Sequence, residues 1–293
     1  MFVNIISKRA IYLFFAFASV STLLSCQPDD AVDGNGLTDA NVDASFTITP
    51  VEGAVNTYIL EAQTKNVVAS KWNIGDGVYL GKMTEKISLP DAGTYTITHI
   101  AVGRGGSENV TTKEIVVATS DPLKGNLVKG GKFATAADHA QWSSCNLSPS
   151  GAAKWNFKTG SATINSNGGW AQEAIYQAID VVKDKEYTID MIVSSNDGSN
   201  ETWFEVYAGT TVPASGAEYK DNKVMGLSTW DGCAKSAFNG WLSAVGCVKN
   251  AAGVISNTVK FSQTGKIYLV IRSGGNTFTP SGITISKVEF RGK

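Results

Sequence analysis

Apolar residues fall into two patterns along this chain. Ala10 to Leu24 is a nearly continuous apolar run, preceded by Lys8 and Arg9 and closing on Leu23-Leu24-Ser25-Cys26. After it, apolar and polar residues alternate over short stretches separated by Gly, Asn and Asp, and no helical period is sustained. Alternation of that kind sends every second side chain to one face of a strand, so the expected fold class is all-β. Strands are predicted at Ser45-Phe46-Thr47-Ile48, Tyr58-Ile59-Leu60-Glu61, Ala69-Ser70-Lys71-Trp72, Thr94-Tyr95-Thr96-Ile97 and Lys113-Glu114-Ile115-Val116, spaced as in a small sandwich over residues 44–118. Thr119-Ser120-Asp121-Pro122 opens a short polar linker over 119–124, and a second strand-rich segment fills 125–293. Both segments have ordinary domain sizes.

The apolar run is shorter than the ~20 residues a bilayer core requires, and no basic cluster follows it. A basic start, an apolar centre and a small residue before a cysteine mark a lipoprotein export signal. The reading is a signal peptide over residues 1–25, lipidation at Cys26 and an acidic tether over 26–43. The stretch Gln27-Pro28-Asp29-Asp30-Ala31-Val32-Asp33-Gly34 resembles the surface-export signal of Bacteroidota lipoproteins. That resemblance implies an outer-membrane protein, held by its lipid anchor and facing the extracellular side.

Composition removes several function classes. A formal net charge of −1 with no basic run offers no surface for releasing the counterions of nucleic acid. A hydrophobic content of 43% is enough for two cores and excludes disorder as a description of the whole. With Cys26 assigned to lipid, Cys145, Cys233 and Cys247 remain. Cys233 and Cys247 bracket 13 residues in an oxidising compartment and are expected to form a disulfide. Cys145 is then a free, buried thiol. His99 and His139 are the only histidines and no metal-ligand spacing accompanies them, so neither a zinc site nor a cofactor is expected.

Two stretches resemble known families. Trp72-Asn73-Ile74-Gly75-Asp76-Gly77, followed by Ala92-Gly93-Thr94-Tyr95-Thr96-Ile97, resembles the signature of polycystic-kidney-disease (PKD) domains. It implies an Ig-like sandwich serving as a spacer. In physical terms the motif is structural: Gly75 and Gly77 allow turn geometry closed to other residues, Asp76 is placed to hydrogen-bond nearby backbone, and Trp72 fills the core. Gly103-Arg104-Gly105-Gly106 reads as a hairpin turn. The second segment opens Asn126-Leu127-Val128-Lys129-Gly130-Gly131-Lys132-Phe133, with Trp142 following. It continues through Ala174-Ile175-Tyr176-Gln177 and Lys185-Glu186-Tyr187-Thr188-Ile189, and closes on Gly282-Ile283-Thr284-Ile285-Ser286-Lys287-Val288-Glu289-Phe290. In that order these stretches resemble family-four-type carbohydrate-binding modules, which are β-sandwich jelly rolls. Such modules often hold calcium through acidic residues at places occupied here by Ala134 and Lys287, so no calcium site is expected.

Six of the seven tryptophans, Trp142, Trp155, Trp170, Trp203, Trp230 and Trp241, lie in the second segment. Sugar rings stack their apolar C–H faces on aromatic planes and offer hydroxyls to amides and carboxylates. In Trp203-Phe204-Glu205-Val206-Tyr207, alternation sets Trp203, Glu205 and Tyr207 on one face as a sugar platform. The competing reading turns Trp203 and Tyr207 inward and leaves Phe204 and Val206 outside. Trp170 stands at a strand entrance beside Gln172. Trp230 and Trp241 lie on the excursion stapled by Cys233 and Cys247, and Trp230 serves equally well as a plug against that disulfide. The candidate carbohydrate-binding set is Trp170, Trp203, Glu205, Tyr207, Trp230 and Trp241; Trp142 and Trp155 read as structural.

No catalytic set is expected, because no spacing joins any two of Asp190, Glu201, Glu205 and Asp231 into an acid and base pair. Gly-x-Ser-x-Gly and His-Glu-x-x-His are absent as well. Taken together, the chain resembles surface glycan-binding lipoproteins of Bacteroidota polysaccharide-utilisation systems. That resemblance implies a polysaccharide ligand, a β-glucan such as laminarin or mixed-linkage glucan being favoured. It also implies a TonB-dependent transporter and a SusD-like protein as partners. The alternative is a structural or adhesive lipoprotein that binds a protein partner through its aromatic cluster.

Overall fold

The computed structural model describes residues 42–148, 152–166 and 168–293. The expected export signal and Cys26 lie outside the described residues. Those described form two compact units. The first holds the residues up to Pro50 together with Tyr58–Ile87 and Tyr95–Ile115, and the second holds Val51–Thr57, Ser88–Thr94 and Val116–Lys293. Nearly every element is a strand, as the alternation predicts, and no described helix is long and apolar enough to cross a membrane.

In the first unit β1 (Phe46–Pro50), β2 (Thr57–Ala62) and β5 (Thr84–Ser88) pair in the order β1-β2-β5. The second sheet runs β4-β3-β6-β7, from β3 (Val67–Asn73), β4 (Val78–Gly81), β6 (Gly93–Gly103) and β7 (Glu108–Val117). Trp72 is fully buried between them, edge-on to Phe46 at 5.2 Å and tilted against His99 at 4.3 Å. Burying a histidine requires partners for both ring nitrogens, and His99 has Ser70 Oγ at 2.7 Å and the Ala44 carbonyl at 2.8 Å. The turn after Trp72 is held by Asn73, whose Oδ1 accepts from the Gly75 and Gly77 N–H groups. Asn73 thus adds a side-chain-to-backbone tie to the turn that contains Asp76. Arg104–Gly106 forms a single 3₁₀ turn joining β6 to β7, the hairpin predicted from its glycines.

Eleven strands build the second unit as two antiparallel sheets around one core. The first sheet contains β9 (Lys154–Lys158), β10 (Ser161–Asn165), β12 (Glu186–Ser195), β15 (Phe238–Trp241) and β18 (Ile283–Gly292) in the order β15-β12-β18-β10-β9, with β16 (Thr258–Lys260) pairing to β12. The facing sheet runs β14-β13-β17-β11-β8, from β8 (Ser143–Asn146), β11 (Ala171–Val181), β13 (Asn200–Gly209), β14 (Lys223–Ser228) and β17 (Gly265–Thr277). Ile189, Met191, Ile285 and Phe290 from the one meet Ile175, Phe204, Val206 and Ile271 from the other. This is a β-sandwich, in which apolar alternation on each strand supplies half of a shared core. Two one-turn helices, α1 (Ala136–His139) and α2 (Leu242–Val245), lie in connections.

Candidate functional site

The outer face of the β14-β13-β17-β11-β8 sheet carries the chemistry. Phe204 and Val206 are completely buried in the core, so alternation leaves Trp203, Glu205 and Tyr207 on the opposite face. Pairing then sets rows across the sheet. Trp203 faces Gly274, which faces Gln172; Glu205 faces Arg272, which faces Ala174; Tyr207 faces Val270, which faces Tyr176.

The first row becomes an aromatic cluster. Trp203 lies nearly parallel to Trp170, with ring centres 6.4 Å apart and planes 20° apart. Trp230 completes the set at 6.2 Å from each of them. Trp170 is 59% exposed and Trp230 57% exposed. Both stand free of the core, on connections rather than strands. Gly274 makes the arrangement sterically possible: a Cβ there would stand 2.5 Å from Trp203 Cζ2 and 2.7 Å from the Ala171 carbonyl oxygen. Gly274→Ala is therefore expected to lift the Trp203 indole off the sheet at a cost of about 1–3 kcal/mol. A fall in thermal midpoint together with a changed near-UV tryptophan signal checks it. Trp203 Nε1 is shielded from solvent with no hydrogen-bond partner among the described residues, a cost of about 1–3 kcal/mol at the centre of the cluster.

The second row is a buried polar network. Arg272, only 4% exposed, donates from Nε and Nη2 to Glu205 Oε2 at 3.0 and 2.6 Å, from Nη2 to Tyr207 Oη at 2.9 Å, and from Nη1 to Gln172 Oε1 at 3.0 Å. Glu218 accepts from it at 3.4 Å. Burial favours the neutral guanidine, but Tyr207, Glu205 and Glu218 outweigh it and hold Arg272 more firmly protonated than usual. Burial also raises the Tyr207 phenol, and the Glu205 carboxylate adds to that. The phenol stays protonated and donates to Glu205 Oε2 at 2.7 Å. For Glu218, the hydrogen bond from Lys220 chiefly lowers the carboxyl.

One expectation needs correction here. Tyr207 is 3% exposed and belongs to a small outer core with Cys145, Leu147, Ala174, Tyr219 and Val270. It is not a surface platform. The connection between β13 and β14 folds over it, with Tyr219 edge-on at 5.4 Å, and Asp221 Oδ2 ties that connection down by accepting from the Thr210 and Thr211 N–H groups. Glu205 is likewise largely buried, committed to Arg272, Tyr207 and, at 3.7 Å, to Lys223. Alternation correctly assigns the face, but it cannot see that the connection following β13 folds back over part of it.

Trp241 ends β15 on the other sheet and is 38% exposed, without a described ring contact to the three clustered indoles. Trp142 stacks on Phe133 at 5.6 Å, and Trp155 is buried beside Glu173, which accepts from its backbone N–H and from its indole. Arg272 and Glu218 belong to the polar network of this face, and motif reading missed them. The available signal was Val270-Ile271-Arg272-Ser273-Gly274-Gly275, a charge inside an apolar strand that then turns to glycine.

Cys233 and Cys247 are joined by a disulfide, their Cα atoms 6.1 Å apart. Cys145 is free and buried. The bridge fastens the Trp230 loop, which is also held by Thr229 N to Thr202 O at 3.1 Å and Cys233 N to Ser228 O at 3.1 Å. A cross-link closing so small a loop contributes on the order of 3 kcal/mol. For a unit of this size, reduction is expected to lower the thermal midpoint by about 6–12 °C, readable by calorimetry with and without dithiothreitol.

Among the described residues no cluster of three or more His, Cys, Asp or Glu side chains is placed to hold a metal ion. No family model matches the sequence, and no curated protein matches it. Solved structures similar to the chain include carbohydrate-binding modules of the β-sandwich superfamily, at 13% identity over 86% of this chain and 99% of that one, with a TM-score of 0.28. A CBM4 module shares 12% identity over 57% of this chain and 99% of its own, with a TM-score of 0.30. A CBM61 module in complex with β-1,4-galactotriose shares 11% over 57% and 99%, with a TM-score of 0.28.

Proposed function

We propose that this protein captures a neutral polysaccharide without turning it over, through the clustered indoles of Trp170, Trp203 and Trp230. The observation that carries the reading is the cluster itself. Three near-neighbour indoles, two of them more than half exposed, are held on a rigid sheet and a stapled loop. An exposed aromatic patch of this kind loses hydrophobic stabilisation unless a ligand covers it. The charged groups beneath it, Arg272, Glu205 and Glu218, are paired with one another. What is left for a ligand is apolar ring surface edged by polar groups such as Gln172, which suits uncharged sugar rings better than uronic acids.

A β-glucan such as laminarin or mixed-linkage glucan is the favoured chain. In this reading residues 1–25 direct export, Cys26 carries the lipid that holds the protein on the outer membrane, and the first unit is a PKD-like spacer. Polysaccharide retained at many points along one chain is passed to a TonB-dependent transporter and a SusD-like protein. Native gels cast with laminarin, mixed-linkage β-glucan, xyloglucan, xylan or starch test it, using protein starting at Gln27. Retardation in one of the glucan gels is expected. Free migration through all of them overturns the reading and favours a protein partner for the aromatic cluster.

A further inference from the structure

Away from the network, the second unit has a cleft of about 540 Å³ at the end of the β9–β10 hairpin, with Lys154, Asn156, Asn165, Ser166, Phe278 and Thr279 among its lining. The volume is within the range of small-ligand sites, about 300–1,000 Å³. Its walls are far more polar than those of an ordinary apolar ligand pocket. Asn156 and Asn165 stand on neighbouring strands, and Asn156 Nδ2 donates to Asn165 Oδ1 at 3.1 Å. That bond orients both amides and leaves the Asn156 carbonyl oxygen as an acceptor and the Asn165 amide as a donor. Lys154 contributes an ammonium steadied by Glu173 Oε1 at 3.1 Å. The buried ring of Phe278 supplies an apolar surface. Ser166 Oγ, in the same wall, is shielded from solvent and has no hydrogen-bond partner among the described residues. A cleft that offers an acceptor, several donors and an aromatic ring matches a polyhydroxylated ring, and matches neither a lipid nor a flat aromatic ligand.

The cleft and the indole cluster share their supporting strands. The connection leaving β10 carries Ser166 and then Trp170; β17 carries Gly274 beneath Trp203 and leads directly to Phe278; β11 carries Gln172 beside the indoles and Glu173 beneath Lys154. We infer that the cleft is a second carbohydrate subsite, which takes a single hexose unit of the same neutral polysaccharide. This inference rests on the glycan-binding reading above. Two subsites on one sandwich raise the apparent affinity for a polymer beyond that for either site alone.

The test uses protein starting at Gln27 and a six-residue oligomer of whichever glycan retards it, laminarihexaose in the favoured case. Side-chain amide resonances of Asn156 and Asn165 are followed by NMR in the wild type and in Trp203→Ala, and polymer retention is compared between the wild type and Asn156→Ala. Asn156 is exposed, so Asn156→Ala is expected to keep the wild-type thermal midpoint. Shifts of both amides in the wild type that persist in Trp203→Ala are expected. A roughly tenfold weaker retention of the polymer by Asn156→Ala is expected with them. If the indole resonances move while the Asn156 and Asn165 amides do not, the cleft is no subsite and the glycan-binding reading still stands. If neither set moves, the glycan-binding reading fails, and this inference with it.

Discussion

Trp230→Ala and Trp170→Ala are each expected to weaken glycan binding by about 30-fold, the effect of removing a hot-spot aromatic worth about 2 kcal/mol. Both indoles are more than half exposed, so neither substitution opens a core cavity, and thermal midpoints should stay within a degree or two of the wild type. Separating affinity from stability is what makes the pair informative. A structural patch would show the opposite, with stability lost and ligand behaviour unchanged. Trp241→Ala is the natural control, since Trp241 stands on the opposite sheet. Titration calorimetry with the retained glycan reads all three.

Glu205→Leu is expected to be the most destabilising single change on this face, at about 3–5 kcal/mol. The cost comes from what remains. Arg272 would keep its charge at 4% exposure with only Glu218, at 3.4 Å, as an anionic partner, while Gln172 and Tyr207 offer neutral oxygens. For a unit of this size that is a fall in thermal midpoint on the order of 10–15 °C. Glu205→Leu combined with Arg272→Leu should recover a large part of the loss, because removing both charges is far less costly than stranding one. Differential scanning calorimetry of the two single variants and the double variant gives the coupling directly. Additive losses would show that the pair is not energetically joined.

These two effects locate what is readable along the chain and what is not. The all-β class follows from alternation alone, since no apolar stripe of helical period competes with it. The face of β13 follows too: once Phe204 and Val206 are buried, Trp203 and Glu205 must point the other way. Trp170 is a different matter. Its meeting with Trp203 depends on β17 lying between β11 and β13 in a register that sets Gly274 opposite both Trp203 and Gln172. Nothing local to Gly168-Gly169-Trp170 specifies that register. Tyr207 shows the opposite limit, because the segment that covers it, through Tyr219, is anchored by Asp221 on backbone N–H groups that leave no periodic trace. The Arg272 network joins residues from β11, β13, β17 and the β13–β14 connection, so its members carry no common motif.

Binding of the retained glucan to wild-type protein and to Trp203→Ala, measured by calorimetry with thermal midpoints recorded for both, tests the central claim most directly. Trp203 is the member of the cluster that touches both other indoles from the sheet itself. Saturable binding by the wild type and affinity at least about 30-fold weaker in a folded Trp203→Ala protein is the expected result. Equal affinity in the two proteins would contradict the assignment of glycan capture to this aromatic surface.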